Sequence, residues 1–347
     1  MPSDKPFTSS LMQAEIAEIP EAIDRLFAHS TGAITEAGAL LRRLAPPVVA
    51  TVARGSSDHA ASVFKIACEI LAGVPVASLG PSIASIYGTV PKLQGAAALA
   101  ISQSGRSPDL VAALQAARRG GAATIAIVNA EGSPLALAAE VTIPLHAGPE
   151  RSVAATKSFV ASVVAALAVL AEWQDDARLR EALRRLPSTL RAAPPADWSA
   201  ALPEVAAASS LYVLGRGPGF AMAMEAALKF KEASILHAEA FSAAEVQHGP
   251  MSLVQGGFPV LAFLQDDAAR PGLLDTIARL AAQGGRVFVA GGEAPGAMTL
   301  PVPATGHPLT DSIATIIGFY RFVEALSRAR GLDPDHPPHL NKVTETL

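Results

Sequence analysis

The sequence predicts an α/β protein made of two like domains in tandem, each built on a parallel sheet, and three observations carry that prediction. Short, almost wholly apolar runs alternate with helix-spaced segments along most of the chain. Strands buried on both faces and linked through helices produce that pattern. The alternation occurs twice with shared landmarks: Arg-Gly recurs from 54 to 216 and Gly-Gly from 120 to 284, offsets of 162 and 164. Two unrelated landmarks at nearly one offset mark a duplicated unit. Between the halves, residues 187–198 hold Pro187, Pro194 and Pro195 among Ser, Ala and Arg, and read as a linker.

Taken in order, residues 1–45 read as N-terminal helices, with apolar residues at Ile16, Ile19, Ile23 and Leu26 broken by Pro20. The first domain, 46–186, opens with a β-branched run at 48–53 that ends in Arg54-Gly55-Ser56-Ser57 and a helix to Leu71. A second buried strand at 96–101 ends in Ser102-Gln103-Ser104-Gly105 and a helix to Arg119. Strands at 123–128 and 141–145 follow a Gly-Gly stop. The second domain, 199–331, repeats the layout: strand 211–214 into Gly215-Arg216-Gly217 and a long helix, strand 260–264, helix 271–283 and strand 286–290. Met298-Thr299-Leu300-Pro301 then echoes Val141-Thr142-Ile143-Pro144. Residues 332–347 remain as a C-terminal tail.

Composition narrows the function classes. Half of the 347 residues are hydrophobic, 17% are charged and the formal net charge is -4. With no Lys/Arg run, nothing favours a nucleic-acid partner or an acidic membrane surface. The lone cysteine, Cys68, cannot form an internal disulfide and reads as a buried small hydrophobe. The first residues lack the charged-then-apolar layout of a signal peptide. The longest apolar run, 159–171, is shorter than the ~18 residues of a membrane span and reads as a buried helix. The expected location is cytoplasmic.

In open parallel sheets, ligands sit beyond the carboxyl ends of strands. Two such loops here carry small hydroxyl residues. In the sharper one, Ser107 suits a helix N-cap and Pro108 the first helical position. The free N–H groups and positive dipole end of that helix attract an anion, with Ser102, Ser104 and Ser107 adding donors. Serines and a glycine also merely cap helices. The loop lacks the Gly-Lys-Ser/Thr of a Walker A motif, and no dinucleotide fingerprint follows a strand. On the helix after Gly217, Glu225, Lys229 and Glu232 stand at i, i+4 and i+7 and share one face. That face is either a solvated salt-bridge stripe or, since the helix is otherwise apolar, the wall of a cleft. His248, beside Gly249-Pro250, and Lys342, in the polar tail, read by themselves as a structural histidine and a surface lysine.

The run Ser102-Gln103-Ser104-Gly105 with Ser107 resembles the phosphate loop of the sugar isomerase (SIS) family. The resemblance continues in order through Glu150-Arg151-Ser152-Val153-Ala154-Ala155-Thr156-Lys157, Leu214-Gly215-Arg216-Gly217 and Glu225-Ala226-Ala227-Leu228-Lys229-Phe230-Lys231-Glu232. It ends with His237-Ala238-Glu239, Glu245-Val246-Gln247-His248-Gly249-Pro250 and Leu340-Asn341-Lys342-Val343-Thr344. These landmarks span nearly the whole chain and resemble the isomerase half of glucosamine-6-phosphate synthase and stand-alone hexosamine-phosphate deaminases. The resemblance implies two Rossmann-like, flavodoxin-type SIS domains, a sugar-phosphate ligand, no cofactor and no metal. It implies a homodimer with shared active sites and a tail that closes over the site. By the same resemblance Gln103, Ser104 and Ser107, with Ser57 and Ser102, hold the phosphate, and Val153 and Thr156 line the sugar pocket. His248, delivered from the neighbouring subunit, opens the ring. Glu232 carries a proton between C2 and C1. Lys342 faces the open-chain carbonyl, and Glu225 with Lys229 shapes the charge around it.

Three departures bear on the reaction. Arg54 stands where the synthase relatives carry a cysteine, which makes the pocket edge more positive. The tail reads Leu-Asn-Lys-Val-Thr, closer to the stand-alone deaminase type. Residue 2 is Pro and the one cysteine is internal, so no N-terminal Cys nucleophile of a glutamine-hydrolysing domain is expected. The expected activity is therefore glucosamine-6-phosphate deamination with isomerisation, giving fructose 6-phosphate and ammonia. Alternatives are tagatose- or galactosamine-phosphate chemistry, deglycation of fructose-amine phosphates, and a non-catalytic sugar-phosphate sensor. No His-x-x-x-His or clustered Cys/His spacing calls for a metal.

Overall fold

The computed structural model describes residues 9–342. Two five-stranded parallel sheets form the frame. In the first, β1 (Val49–Val52), β2 (Val76–Ser78), β3 (Ala97–Ser102), β4 (Ala123–Val128) and β5 (Val141–Pro144) run in the order β2-β1-β3-β4-β5. In the second, β6 (Ser210–Gly215), β7 (His237–Ser242), β8 (Pro259–Phe263), β9 (Arg286–Ala290) and β10 (Ala297–Leu300) run β7-β6-β8-β9-β10, the same permutation. This is the flavodoxin-type order, which places a switch point between the first and third strands of each sheet.

Burial on both faces explains the apolar strands. Along β3, Leu99 and Ile101 enter the central core while Ala98 and Ala100 pack outward near α5 (Pro108–Arg119) and α6 (Pro134–Ala138). Along β8, Leu261 and Phe263 point inward, and Val260 and Ala262 pack outward with α11 (Arg270–Ala282). Between the sheets lie α2 (Ile19–Leu44), α3 (Ser56–Leu71), α7 (Lys157–Gln174), α10 (Pro218–Ser234) and α12 (Pro308–Ala329), which share one apolar core. The smaller α1 (Leu11–Ala17), α4 (Pro81–Ser85) and α9 (Leu202–Ala207) and the helix α8 (Ala177–Ala192) complete the layers. By length and composition α7 is apolar enough to cross a membrane, and it is buried inside the fold. It packs so closely on α2 that a Cβ at Gly38 would lie 2.5 Å from Glu172 Cβ.

The duplication extends to backbone conformation. Gly55 and Gly217 adopt φ/ψ of 55/-134° and 53/-135°, a region closed to side-chain-bearing residues. Gly121 and Gly284 share φ near 96° and 98°, so the equivalent glycines of the two Gly-Gly pairs are 163 apart, one less than the pairs themselves.

Three local readings change. The break expected at Pro20 falls two residues earlier, at Glu18 between α1 and α2, with Pro20 in the first turn of α2, where its missing N–H and fixed φ are tolerated. The edge strands β2 and β7, half exposed, lack an apolar run and give no sequence signal. Helix α8 continues through Pro187, carried by buried Leu179, Leu183 and Leu186, so the irregular link between domains shortens to about 193–198.

Candidate active site at the first switch point

The loops after β1 and β3 meet at the switch point of the first sheet. After β1, Arg54 and Gly55 lead into α3, whose first turn presents Ser56 and Ser57. After β3, Ser102 Oγ accepts the Gly105 N–H at 3.1 Å, and Ser104 Oγ accepts that of Arg106 at 3.3 Å. These bonds curl the loop over the N-terminus of α5. Gly105 is required twice: its φ is +59°, and a Cβ there would sit 2.1 Å from Ser133 Oγ. Ser107 occupies the N-cap position, yet its side chain makes no capping bond.

A cavity of about 320 Å³ opens at this point, a size that suits a small polar ligand. The first domain supplies Arg54, Ser56, Ser57, Ser102, Gln103, Ser104, Ser107, Val153 and Ala155. The second domain supplies Lys229 and Glu232 from α10, and the tail adds Leu340, Asn341 and Lys342. Nine of the twelve residues proposed from sequence therefore meet in one cavity.

The other three lie elsewhere. Glu225 is fully buried beneath the cavity and touches it only through Lys229. Thr156 is also fully buried; it gives its N–H to Glu150, and its Oγ1 has no partner among the described residues. The wall expected from it is formed instead by Val153 and Ala155, because Thr156 has already turned inward to start α7. His248 sits exposed on the 3₁₀ turn Glu245–His248 after β7 and does not line the cavity of its own chain.

The charges form two buried networks. In the first, the Lys229 ammonium pairs with Glu232, donates to Ser56 Oγ at 2.9 Å and approaches Glu225 Oε1 at 3.4 Å. Glu225 also takes His59 Nδ1 at 2.8 Å and the Tyr320 hydroxyl at 3.0 Å. Burial alone would raise the Glu225 carboxyl; Lys229, His59 and Tyr320 outweigh it and hold it below the usual range. Burial likewise works against the Lys229 charge, but Glu225 and Glu232 raise its pKa and keep it protonated. The Tyr320 hydroxyl, buried beside the Glu225 anion, is pushed well above its ordinary value.

In the second network, fully buried Glu150 accepts the N–H groups of Thr156 and Ser158 at 3.0 Å each, Ser158 Oγ at 2.6 Å and Lys342 Nζ at 2.8 Å. Burial pushes its pKa up, and Lys342 with Ser158 reverses this and holds it low. A negative charge here also suits the N-terminus of α7. The tail is stapled further back, where Asp335 accepts the N–H groups of Leu11 and Met12 at 2.7 and 2.8 Å and its carbonyl accepts that of Val153. Arg54, the extra cation at the rim, donates Nε to buried Asp109 at 2.6 Å, which offsets its charge.

Sequence reasoning assigned no role to Ser56, His59, Glu150 or Tyr320. Tyr320 carried a faint signal, since a hydroxyl in an apolar helix needs a partner when buried. His59 carried none, because its partner lies 166 residues away.

The second switch point is built differently. At the 162-residue offset Ser57, Ser102, Ser104 and Ser107 correspond to Gly219, Leu264, Asp266 and Ala269. The Gln265 side chain fills the space a Cβ at Gly219 would enter, 2.1 Å away. Every hydroxyl is lost and two acidic residues, Asp266 and Asp267, are gained, so this copy lacks the hydroxyl cradle of the first.

The SIS domain profile matches residues 48–171 and 204–290. The chain belongs to the SIS domain family. A glutamine–fructose-6-phosphate aminotransferase (isomerizing) from Aeropyrum pernix is 36% identical over 95% of this chain. The match spans 56% of that relative's length. A crystal structure from Silicibacter pomeroyi DSS-3, named provisionally as a phosphosugar isomerase, is 50% identical, with a TM-score of 0.90 over 94% of this chain and 100% of that one. A glucosamine-6-phosphate deaminase structure from Thermotoga maritima shares the fold, with a TM-score of 0.73 at 20% identity over 97% of this chain and 100% of that one.

Proposed function

We propose that the chain is a phosphosugar-converting SIS enzyme whose reaction is the isomerising deamination of a hexosamine 6-phosphate, giving fructose 6-phosphate and ammonia. The observation that carries the reading is the single cavity that joins a hydroxyl-lined helix N-terminus to a carboxylate, Glu232, held by a buried lysine. A phosphate dianion fits the first part, where the N–H groups opening α5 and the hydroxyls of Ser57, Ser102, Ser104 and Ser107 converge. Proton transfer between adjacent carbons needs the second.

In this reading the phosphate docks first and fixes C1 and C2 near Glu232. His248, exposed on its own chain, reaches the cavity of a second copy and passes a proton to the ring oxygen. Glu232 takes the proton from C2 and returns it to C1, leaving an imine at C2. Water adds to that imine, and ammonia leaves. Lys229 stays protonated and stabilises the Glu232 anion before the proton is taken and again after it is returned. Lys342, tethered by Glu150, faces the carbonyl oxygen, where its charge favours the enolised form. A base positioned in this way contributes about 10²–10⁴ in rate.

A second reading, aldose–ketose isomerisation without loss of ammonia, draws on the name of the Silicibacter pomeroyi relative. One assay separates the two. Ammonia and fructose 6-phosphate are measured from glucosamine 6-phosphate, with galactosamine 6-phosphate and a neutral ketose 6-phosphate in parallel. Ammonia release supports deamination. Interconversion of the neutral sugars with no ammonia from either amino sugar would replace it with isomerisation.

A further inference from the structure

We propose that His59 is a positioning residue for the chemistry at Glu232, acting through Glu225 and Lys229. The inference rests on the reading of Glu232 as the base.

Glu225 is a fully buried carboxylate in the helical layer between the two sheets. Three helices fix it. Its Oε2 meets His59 Nδ1 of α3 at 2.8 Å. Its Oε1 takes the Tyr320 hydroxyl of α12 at 3.0 Å, with Lys229 of its own helix at 3.4 Å. An ionised carboxylate only accepts, so Nδ1 carries the hydrogen and His59 is the donor. Among the described residues His59 is the one partner of Oε2.

The consequence passes to Lys229. An ammonium has three hydrogens, and Glu225, Glu232 and Ser56 offer three acceptors. Lys229 is thereby held in one orientation, with the Glu232 carboxylate held by the same cation. Without the His59 hydrogen bond, Oε2 is left as a buried anionic oxygen lacking a donor. The nearest mobile donor is Lys229. Turning it further toward Glu225 draws it from Ser56 and Glu232 and shifts the carboxylate that must reach two adjacent carbons. Displacements of about 1 Å at a reacting group cost on the order of 10² in rate.

Stability alone does not explain this arrangement. Buried ion pairs can often be replaced by apolar residues of similar volume without loss of stability. His59 also stands in the turn of α3 that begins with Ser56 and Ser57, both of which line the cavity. One helical turn therefore holds the ligand-facing hydroxyls and the far end of the charge network.

The test compares the intact protein with His59→Leu, His59→Asn and Tyr320→Phe. Measured are kcat and KM for glucosamine 6-phosphate, the affinity for fructose 6-phosphate by calorimetry, and thermal melting. His59→Leu should lower kcat about 10- to 100-fold, the range found when a residue that orients a metal ligand is lost, while KM and product affinity change less than about twofold. His59→Asn, whose amide donor overlays Nδ1, should recover most of kcat. Wild-type kcat in His59→Leu, or no recovery with Asn, would overturn the proposal. If His59→Leu does not fold, Tyr320→Phe decides, because it strips one hydrogen bond from the same carboxylate; an unchanged kcat there would overturn the proposal. A wild-type protein inert toward every sugar phosphate would instead sink the function reading, and the inference with it.

Discussion

Replacing Glu150 with glutamine isolates the contribution of one buried charge. The amide keeps the shape and one carbonyl oxygen, which still accepts the N–H groups of Thr156 and Ser158. Its NH₂ end meets Lys342, a donor facing a donor, so the 2.8 Å contact is lost. A hydrogen bond to a charged group contributes about 1.5–3 kcal/mol. For a chain of this size that corresponds to a drop of roughly 3–6 °C in Tm, at about 2 °C per kcal/mol.

The pH dependence has a definite sign. The Glu150 carboxyl is held below its ordinary pKa in the folded protein. Its stabilisation is therefore fully present above the unfolded-state value and fades as pH falls through the lower, folded-state value. The wild type and Glu150→Gln should differ in Tm at pH 7 and converge in acid. Activity should fall as well, since Lys342 loses its tether at the cavity mouth. Melting by calorimetry from pH 3 to 8, with kcat at pH 7.5, checks both. Equal melting curves and equal turnover at neutral pH would refute the tether.

Other substitutions separate the roles of neighbouring residues. Glu232→Gln should abolish turnover by about 10²–10⁴ and retain fructose 6-phosphate binding, which calorimetry reports. Ser107→Ala should leave Tm nearly unchanged, although an N-cap serine is ordinarily worth about 1 kcal/mol, because this side chain makes no capping bond. The same change should raise KM for the sugar phosphate. Gly105→Ala should instead lower Tm as well as raise KM, since a Cβ would meet Ser133 Oγ at a positive φ.

The frame was legible because its signals are local. Runs such as 97–101 and 125–128 are buried on both faces, every residue in them is apolar, and the run stood out. Strands β2 and β7 cover one side only and left no such trace. The cavity was legible where helix starts are marked by residue type, as at Ser107-Pro108, and where spacing puts Lys229 and Glu232 on one face. Depth was not legible. Spacing places Glu225 on the same stripe as Glu232, yet one is wholly buried and the other reaches the cavity, because Glu225 meets α3 and α12 while Glu232 lies a turn or two beyond that contact. Thr156 failed for a related reason: its neighbour in sequence faces the ligand space, and it turns into α7.

The altered second switch point has a consequence for how the two copies depend on each other. With the hydroxyl cradle replaced there, the second domain contributes to the cavity of the first, lending Lys229 and Glu232 of α10 across the domain boundary. The copies have become an anchor and a tool, and neither is a smaller version of the whole. Because the helices of both halves share one core, a chain cut in the stretch 193–198 should keep its fold only while the two pieces stay associated. Turnover should return only when both are present, in proportion to the pieces that find each other.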